Sequence, residues 1–233
     1  MTGVYTLEEN VLKHIIVDLE MNAISRSFDI KGSTHKEIIE IGAIMLDDDY
    51  KEIDSFKTYV KPQMNSEVEK RYESLTGITT EMVKDAPVFE EAIASFAKWC
   101  ASYNDEFTLY QWSENDRTQI VSEMKLKNIT PDENEKRIVG GWVDFQKEFS
   151  HLLGLSKPIA LDKAIDYAGE DFKGRQHDAL YDARNTAELL ALSRDEPKFE
   201  EKLKYVLEAL RSDDQDATLG DMIDFSALLE QLD

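Results

Sequence analysis

Two acidic residues stand two apart at the end of an apolar run. His14 to Leu19 reads HIIVDL, with Asp18 inside the run and Glu20 just beyond it. Side chains two apart on a strand share one face, so both carboxylates aim the same way. Unpaired carboxylates beside a core are costly and call for cations or water. Hard oxygen donors of this kind suit Mg²⁺ or Mn²⁺. A third carboxylate, Asp116, follows the strand-like FTLYQW (107–112) at a strand-to-helix junction, with Glu114 as its rival. A fourth lies in QHDALYDARNT (176–186), where His177 precedes Asp182 by five residues. On a straight helix that spacing is roughly 140° around the axis. The two converge only if His177 lies in the preceding loop. Asp178 is the rival there, sharing a face with Asp182 at i, i+4. Histidine titrates near neutrality, as a general base needs. Each signal alone also fits a solvated strand end or a helix cap.

The elements that must carry these residues follow from pattern. His14–Leu19 and Glu37–Leu46 read as strands, the first β-branched and buried on both faces. Ile53–Val60 alternates as a third, and Phe107–Trp112 is a fourth. Three strands on short links imply an antiparallel meander opening a mixed sheet. The polar stretch Asn22–Lys36 reads as a loop, and so does Leu75–Thr79. Helices are expected over Ser66–Ser74, Phe89–Tyr103, Asn115–Lys127, Trp142–Leu153, Leu161–Ala168, His177–Ser193 and Pro197–Leu210. Thr79 or Thr80 is placed to cap a further turn. His151 reads as a helix-face residue. The tail carries an acidic run, Asp213, Asp214 and Asp216, and then apolar residues at 222, 223, 225, 228, 229 and 232. That amphipathic segment either docks on its own domain or contacts a protein partner or a second copy.

Composition narrows the classes. There are 27 Lys and Arg against 48 Asp and Glu, a net charge of −21 over 233 residues. Such a chain does not grip long nucleic acid by bulk positive charge. Bound cations can still carry phosphate chemistry. The one cysteine, Cys100, excludes an intramolecular disulfide and a multi-cysteine zinc site, and reads as a core residue. No long apolar run is visible at the N-terminus, so the expectation is a cytoplasmic protein without membrane contact.

In their order, the motifs resemble the DEDDh 3′–5′ exonucleases, which have an RNase H-like fold. Asp-x-Glu matches Asp18-Leu19-Glu20, the second-motif aspartate matches Asp116, and His-x-Ala-x-x-Asp-Ala matches His177 to Ala183. Connecting segments agree: EIIEIGAI (37–44), Tyr59-Val60-Lys61-Pro62 and Leu75-Thr76-Gly77-Ile78-Thr79. The likeness covers about residues 13 to 194 and is nearest the ERI-1-like branch, while Asp-Leu-Glu-Met is also similar to oligoribonucleases. Ser113 after Trp112 and the long polar loop depart from the family pattern.

The resemblance implies an α/β fold with a mixed five-stranded sheet, a meander and then parallel strands, flanked by helices. It implies an exonuclease domain over 10–195 and leaves 196–233 as a C-terminal helical extension with an acidic linker. It implies hydrolysis of single-stranded RNA, DNA or short oligonucleotides from the 3′ end, releasing nucleoside 5′-monophosphates. Asp18, Glu20, Asp116 and Asp182 would hold two divalent ions, Mg²⁺ or Mn²⁺, and His177 would be the general base. Two dications would balance the four carboxylates. Leu19 and Met21 would pack on the terminal nucleotide. Tyr110, Trp112 and Trp142 are stacking candidates, Trp112 foremost, and Lys173 and Arg175 could meet phosphates. Two other readings stand beside this one: a catalytically silent nucleic-acid-binding or interaction scaffold on the same fold, and a two-metal phosphatase.

Overall fold

The computed structural model describes residues 12–28, 34–103 and 106–213. Five strands form one sheet in the order β3-β2-β1-β4-β5. β1 (Lys13–Ala23), β2 (Lys36–Leu46) and β3 (Glu52–Tyr59) form the antiparallel meander. β4 (Phe107–Gln111) pairs parallel to β1, and β5 (Val143–Asp144) parallel to β4. β1 is therefore central and is paired on both edges, which explains its length and its apolar character. The sheet is the mixed, five-stranded one expected.

The helices divide between two faces. Ile15, Val17 and Leu19 point to α3 (Phe89–Cys100), α4 (Asn115–Leu126) and α5 (Glu133–Ile138), where Phe89, Phe96, Ile120 and Cys100 complete a core. Ile16, Ile44 and Trp112 point to the other face, against α6 (Phe145–Leu152), α7 (Leu161–Tyr167), α8 (Ala179–Arg194) and α9 (Glu196–Asp213). Alternation along β1 thus sends Asp18 and Glu20 to the α8 face. α1 (Lys70–Thr76) and α2 (Thr80–Val83) cover the end of β2, with Thr79 capping α2 through Met82 N.

Several boundaries differ from the sequence pattern. The helix expected from Trp142 begins only at Phe145, because Val143 and Asp144 form β5 and Asp144 is the N-cap. α5 has no apolar period in ENEKRI and is set by its Asp132–Glu135 capping box. His177 lies outside α8, in the left-handed region at φ 61°. β1 runs through Asn22 and Ala23, four residues beyond the expected strand. Phe199 and Leu203 of α9 are buried against Phe149 and its neighbours. The amphipathic segment 221–232 and most of the acidic run lie outside the described residues. Among the described residues no helix is long and apolar enough to cross a membrane.

Candidate active site

Cross-strand partners in a pleated sheet share a face. Two rows therefore cross the sheet beneath α8: Lys57, Gly42 and Asp18 in one, Tyr59, Glu40 and Glu20 in the next. Pairing of β1 with β2 shifts register just after Glu20, where Ile39 is the extra residue. Gly42 is the gap that admits α8. A Cβ there would lie 2.2 Å from the Ala179 carbonyl carbon. The helix N-terminus rests on that glycine, and Asp182, one turn along, is brought over β1.

One bond carries this docking and a second caps the helix that docks. Ala179 N donates to Glu40 Oε2 at 2.9 Å, and Asp178 Oδ1, the N-cap, accepts from Leu180 N at 3.2 Å. His177 is placed by its own backbone, whose N–H donates to Asp182 Oδ2 at 3.1 Å. Its loop is pinned by buried Asn185, which accepts from Lys173 N and donates to the Lys173 carbonyl. Gly174 lets the Tyr181 ring close against the chain, since a Cβ would meet that ring at 2.2 Å. Left-handed backbone at His177 thus lifts the imidazole off the helix and removes the angular conflict of a five-residue spacing.

Asp116 arrives from the other side, in the first turn of α4 after β4. It is buried, and its carboxylate accepts from the Leu19 backbone N–H, tying the second motif to the first. Glu114 instead pairs with Lys147 at the surface at 2.5 Å, and Asp178 pairs with Lys57 at 2.6 Å. Both rivals are thereby occupied elsewhere. Asp18, Glu20, Asp116, His177 and Asp182 all line one open cavity of 720 Å³. His177 Nδ1 lies 3.9 Å from Glu20 Oε1. Among the described residues, no lysine or arginine forms an ion pair with any of the four carboxylates.

Four acids without a cation perturb one another. Burial raises Asp18 well above the usual carboxylate range, with Asp116, Asp182 and Glu20 adding repulsion. Burial and then the Asp182 and Glu40 charges push Glu20 up to about 8. Asp116 and Asp182 rise to about 7, again chiefly by burial, held back by the Leu19 and His177 N–H groups respectively. Among the described residues, Asp182 Oδ1 is buried without a hydrogen-bond partner. Glu20, His177 and Asp182 place one donor atom each within 4.8 Å of the others. This donor set, rich in carboxylate oxygen and in negative charge, fits hard divalent cations.

The walls are asymmetric. Leu19, Met21, Tyr72, Leu75 and Trp112 give an apolar side, and Asn115, Thr118, Gln119 and Ser122 of α4 give a polar one. Trp112 is 8% exposed and packs edge-on against Phe145, so only its rim reaches the cavity. Tyr110 bonds His14 at 3.1 Å instead, and Trp142 Nε1 donates to the Ile138 carbonyl; neither lines the cavity. Arg175 lies across Gly77 and donates to the Leu75 carbonyl at 3.3 Å, and Lys173 pairs with Glu188. The sequence pattern did not single out Glu40, Lys57, Tyr72 or Leu75. Glu40 had one visible signal, a charged residue inside the apolar run EIIEIGAI.

Comparison with known proteins bears on this site. The family model described as Exonuclease matches residues 15–190. The chain is 30% identical to ERI1 exoribonuclease 2 of Danio rerio over 193 residues, 74% of this chain and 33% of that protein. It thus spans about a third of the length of this vertebrate relative. It is 26% identical to the probable 3′-5′ exonuclease KapD of Bacillus subtilis (strain 168), over 84% of this chain and 86% of that one. Among solved structures, the nuclease domain of 3′hExo, a DEDDh family member bound to rAMP, superposes with a TM-score of 0.66 at 21% identity. That superposition covers 78% of this chain and 92% of that one, and it shows the shared RNase H-like fold.

Proposed function

The chain belongs to the exonuclease family, and from that premise we propose that it is a metal-dependent 3′–5′ exonuclease acting on single strands. The observation that carries the proposal is the convergence of four carboxylates, none paired with a described lysine or arginine, and one histidine on a single open cavity. Asp18, Glu20, Asp116 and Asp182 would hold two divalent ions, Mg²⁺ or Mn²⁺. Bound there, the ions supply charge to the phosphodiester and acidify water.

The protein's own groups do the rest. His177, open to solvent and held by its loop, takes the proton from the attacking water. Glu20 Oε1 lies 3.9 Å from its Nδ1. Leu19, Met21 and the rim of Trp112 seat the terminal nucleoside by apolar contact. The polar α4 wall faces sugar and phosphate. A net charge of −21 favours short or single-stranded substrates over long duplexes. The exoribonuclease names of the relatives support RNA among these. We also assign the catalytic domain to residues 10–195, with 196–233 as an extension.

The test incubates 5′-labelled RNA and DNA of equal sequence with Mg²⁺ or Mn²⁺. A one-nucleotide ladder shortening from the 3′ end, abolished by EDTA and by Asp182→Ala, is expected. No shortening of either strand would defeat the proposal.

A further inference from the structure

Six carboxylates, not four, cluster around the N-terminus of α8. Glu40 and Asp178 are the additional two. Glu40 is only 1% exposed and is the direct register partner of Glu20. Asp178 stands one helical turn before Asp182. Either could compete for a cation or leave a buried charge uncompensated.

One side chain meets both. Lys57 Nζ lies 2.6 Å from Asp178 Oδ2 and 3.0 Å from Glu40 Oε1. Lys57 comes from β3, opposite Gly42, so its stem flanks the gap on which Ala179 rests. The second oxygens of its two partners bind the first N–H groups of α8: Glu40 Oε2 takes Ala179, and Asp178 Oδ1 takes Leu180. One ammonium thus holds both the sheet residue that docks this helix end and the residue that caps it. Contacts spanning 121 and 139 residues of chain close here.

We propose that Lys57 is a positioning residue for the site. Through Glu40 and Asp178 it locks the α8 N-terminus onto the sheet, so that Asp182 and His177 face Asp18 and Glu20. It also keeps Glu40 and Asp178 from taking the cation themselves. This rests on the metal-site reading above.

Charge and position predict opposite signs. Removing a cation from among six acids, by charge alone, tightens divalent-ion binding. Losing the lock moves Asp182 and weakens it. Partners of this kind, acting one step behind metal ligands, typically matter by about 10- to 100-fold.

The experiment measures Mn²⁺ affinity by calorimetry on the full chain, together with kcat and KM on a labelled oligonucleotide. Lys57→Met is expected to weaken Mn²⁺ binding by about tenfold and to lower kcat by 10- to 100-fold with KM little changed. Lys57→Arg, which keeps both ion pairs, should recover most of each. Mn²⁺ bound as tightly or more tightly by Lys57→Met, or no recovery in Lys57→Arg, overturns the proposal. So does a lowered melting temperature with unchanged Mn²⁺ affinity and kcat. Should Lys57→Met fail to fold, Lys57→Gln decides by the same measure, because it too removes the ammonium and leaves all six acids in place. Unchanged Mn²⁺ affinity there overturns the proposal. A parent protein that binds no Mn²⁺ overturns the metal-site reading first, and this inference with it.

Discussion

Two groups of buried carboxylates in this molecule meet opposite fates. Glu37 and Glu123 are fully buried between β2 and α4. Glu37 accepts from Gln63 N and Met64 N, at 2.8 and 2.7 Å. Glu123 accepts from Ile38 N at 2.8 Å and from Gln119 Nε2 at 3.0 Å. Lys127 Nζ stands between them, 3.1 Å from Glu37 and 2.7 Å from Glu123. Every oxygen of that pair has a donor. Among the described residues, Asp18, Glu20, Asp116 and Asp182 pair with no lysine, and Asp182 Oδ1 has no hydrogen-bond partner. The first group is finished by the protein itself. The second is left incomplete where it opens to a cavity. Local frustration of this kind marks where function overrides stability.

Four substitutions and conditions press on that contrast. Removing a ligand from the open group should cost catalysis and not the fold. Asp182→Ala is expected to lose about 10³-fold or more in kcat. The metal-free variant should melt no lower than the parent at pH 8, because repulsion is relieved. A melting temperature that falls sharply instead would mean the open group is structural.

Breaking the closed group should do the reverse. Lys127→Met strands two buried carboxylates and is expected to cost about 3–5 kcal/mol. At this chain length that is roughly 10 °C of melting temperature. Activity per folded molecule should stay near that of the parent. A stable Lys127→Met would contradict the structural role.

Gly42→Ala sits on the boundary and should damage both properties. Its Cβ would collide with the Ala179 backbone, so α8 must shift. Overpacking costs about 1–3 kcal/mol. Activity should fall further than stability, since Asp182 and His177 ride on that helix. Equal stability and activity to the parent would show that α8 does not rest on Gly42.

The last prediction concerns pH. Glu20, Asp116 and Asp182 titrate near 8, 7 and 7 in the folded chain, far above free carboxylates. Between about pH 4 and 8 the folded, metal-free protein holds protons that the unfolded chain has shed. That stability is present below about pH 4 and is lost as pH rises through 7 to 8. The metal-free melting temperature should therefore fall by about ten degrees or more from pH 5 to pH 8. Adding Mg²⁺ or Mn²⁺ should restore it at pH 8 and do little at pH 5. A flat profile would place the four acids farther apart than they stand here.

How much of this was legible in the sequence depended on distance along the chain. Period two put Asp18 and Glu20 on one face, and the strand-to-helix junction marked Asp116. The helix pattern after 177 exposed the angular conflict between His177 and Asp182 but not its resolution, which lies in one left-handed residue and the Asn185 clasp. β5 has two residues, too few to show a period, and α5 is polar throughout. Lys57 and Gly42 were silent, and Glu40 showed only as a charge in an apolar run, because their partners are 121 to 139 residues away. The aromatic candidates misled in part: Tyr110 and Trp142 have strand and loop surroundings like those of Trp112, and only packing separates them.

One measurement bears most directly on the central claim, that the open carboxylate group is a divalent-cation site. The metal-free protein is titrated calorimetrically with Mn²⁺ at pH 7 in two buffers of different ionisation enthalpy. Acids titrating near 7 and 8 must give up protons when a cation binds. The account predicts saturable binding with release of more than one proton per protein, a release that vanishes by about pH 9 and is diminished in Asp182→Ala. Binding without proton release, or no binding at pH 8, would contradict it.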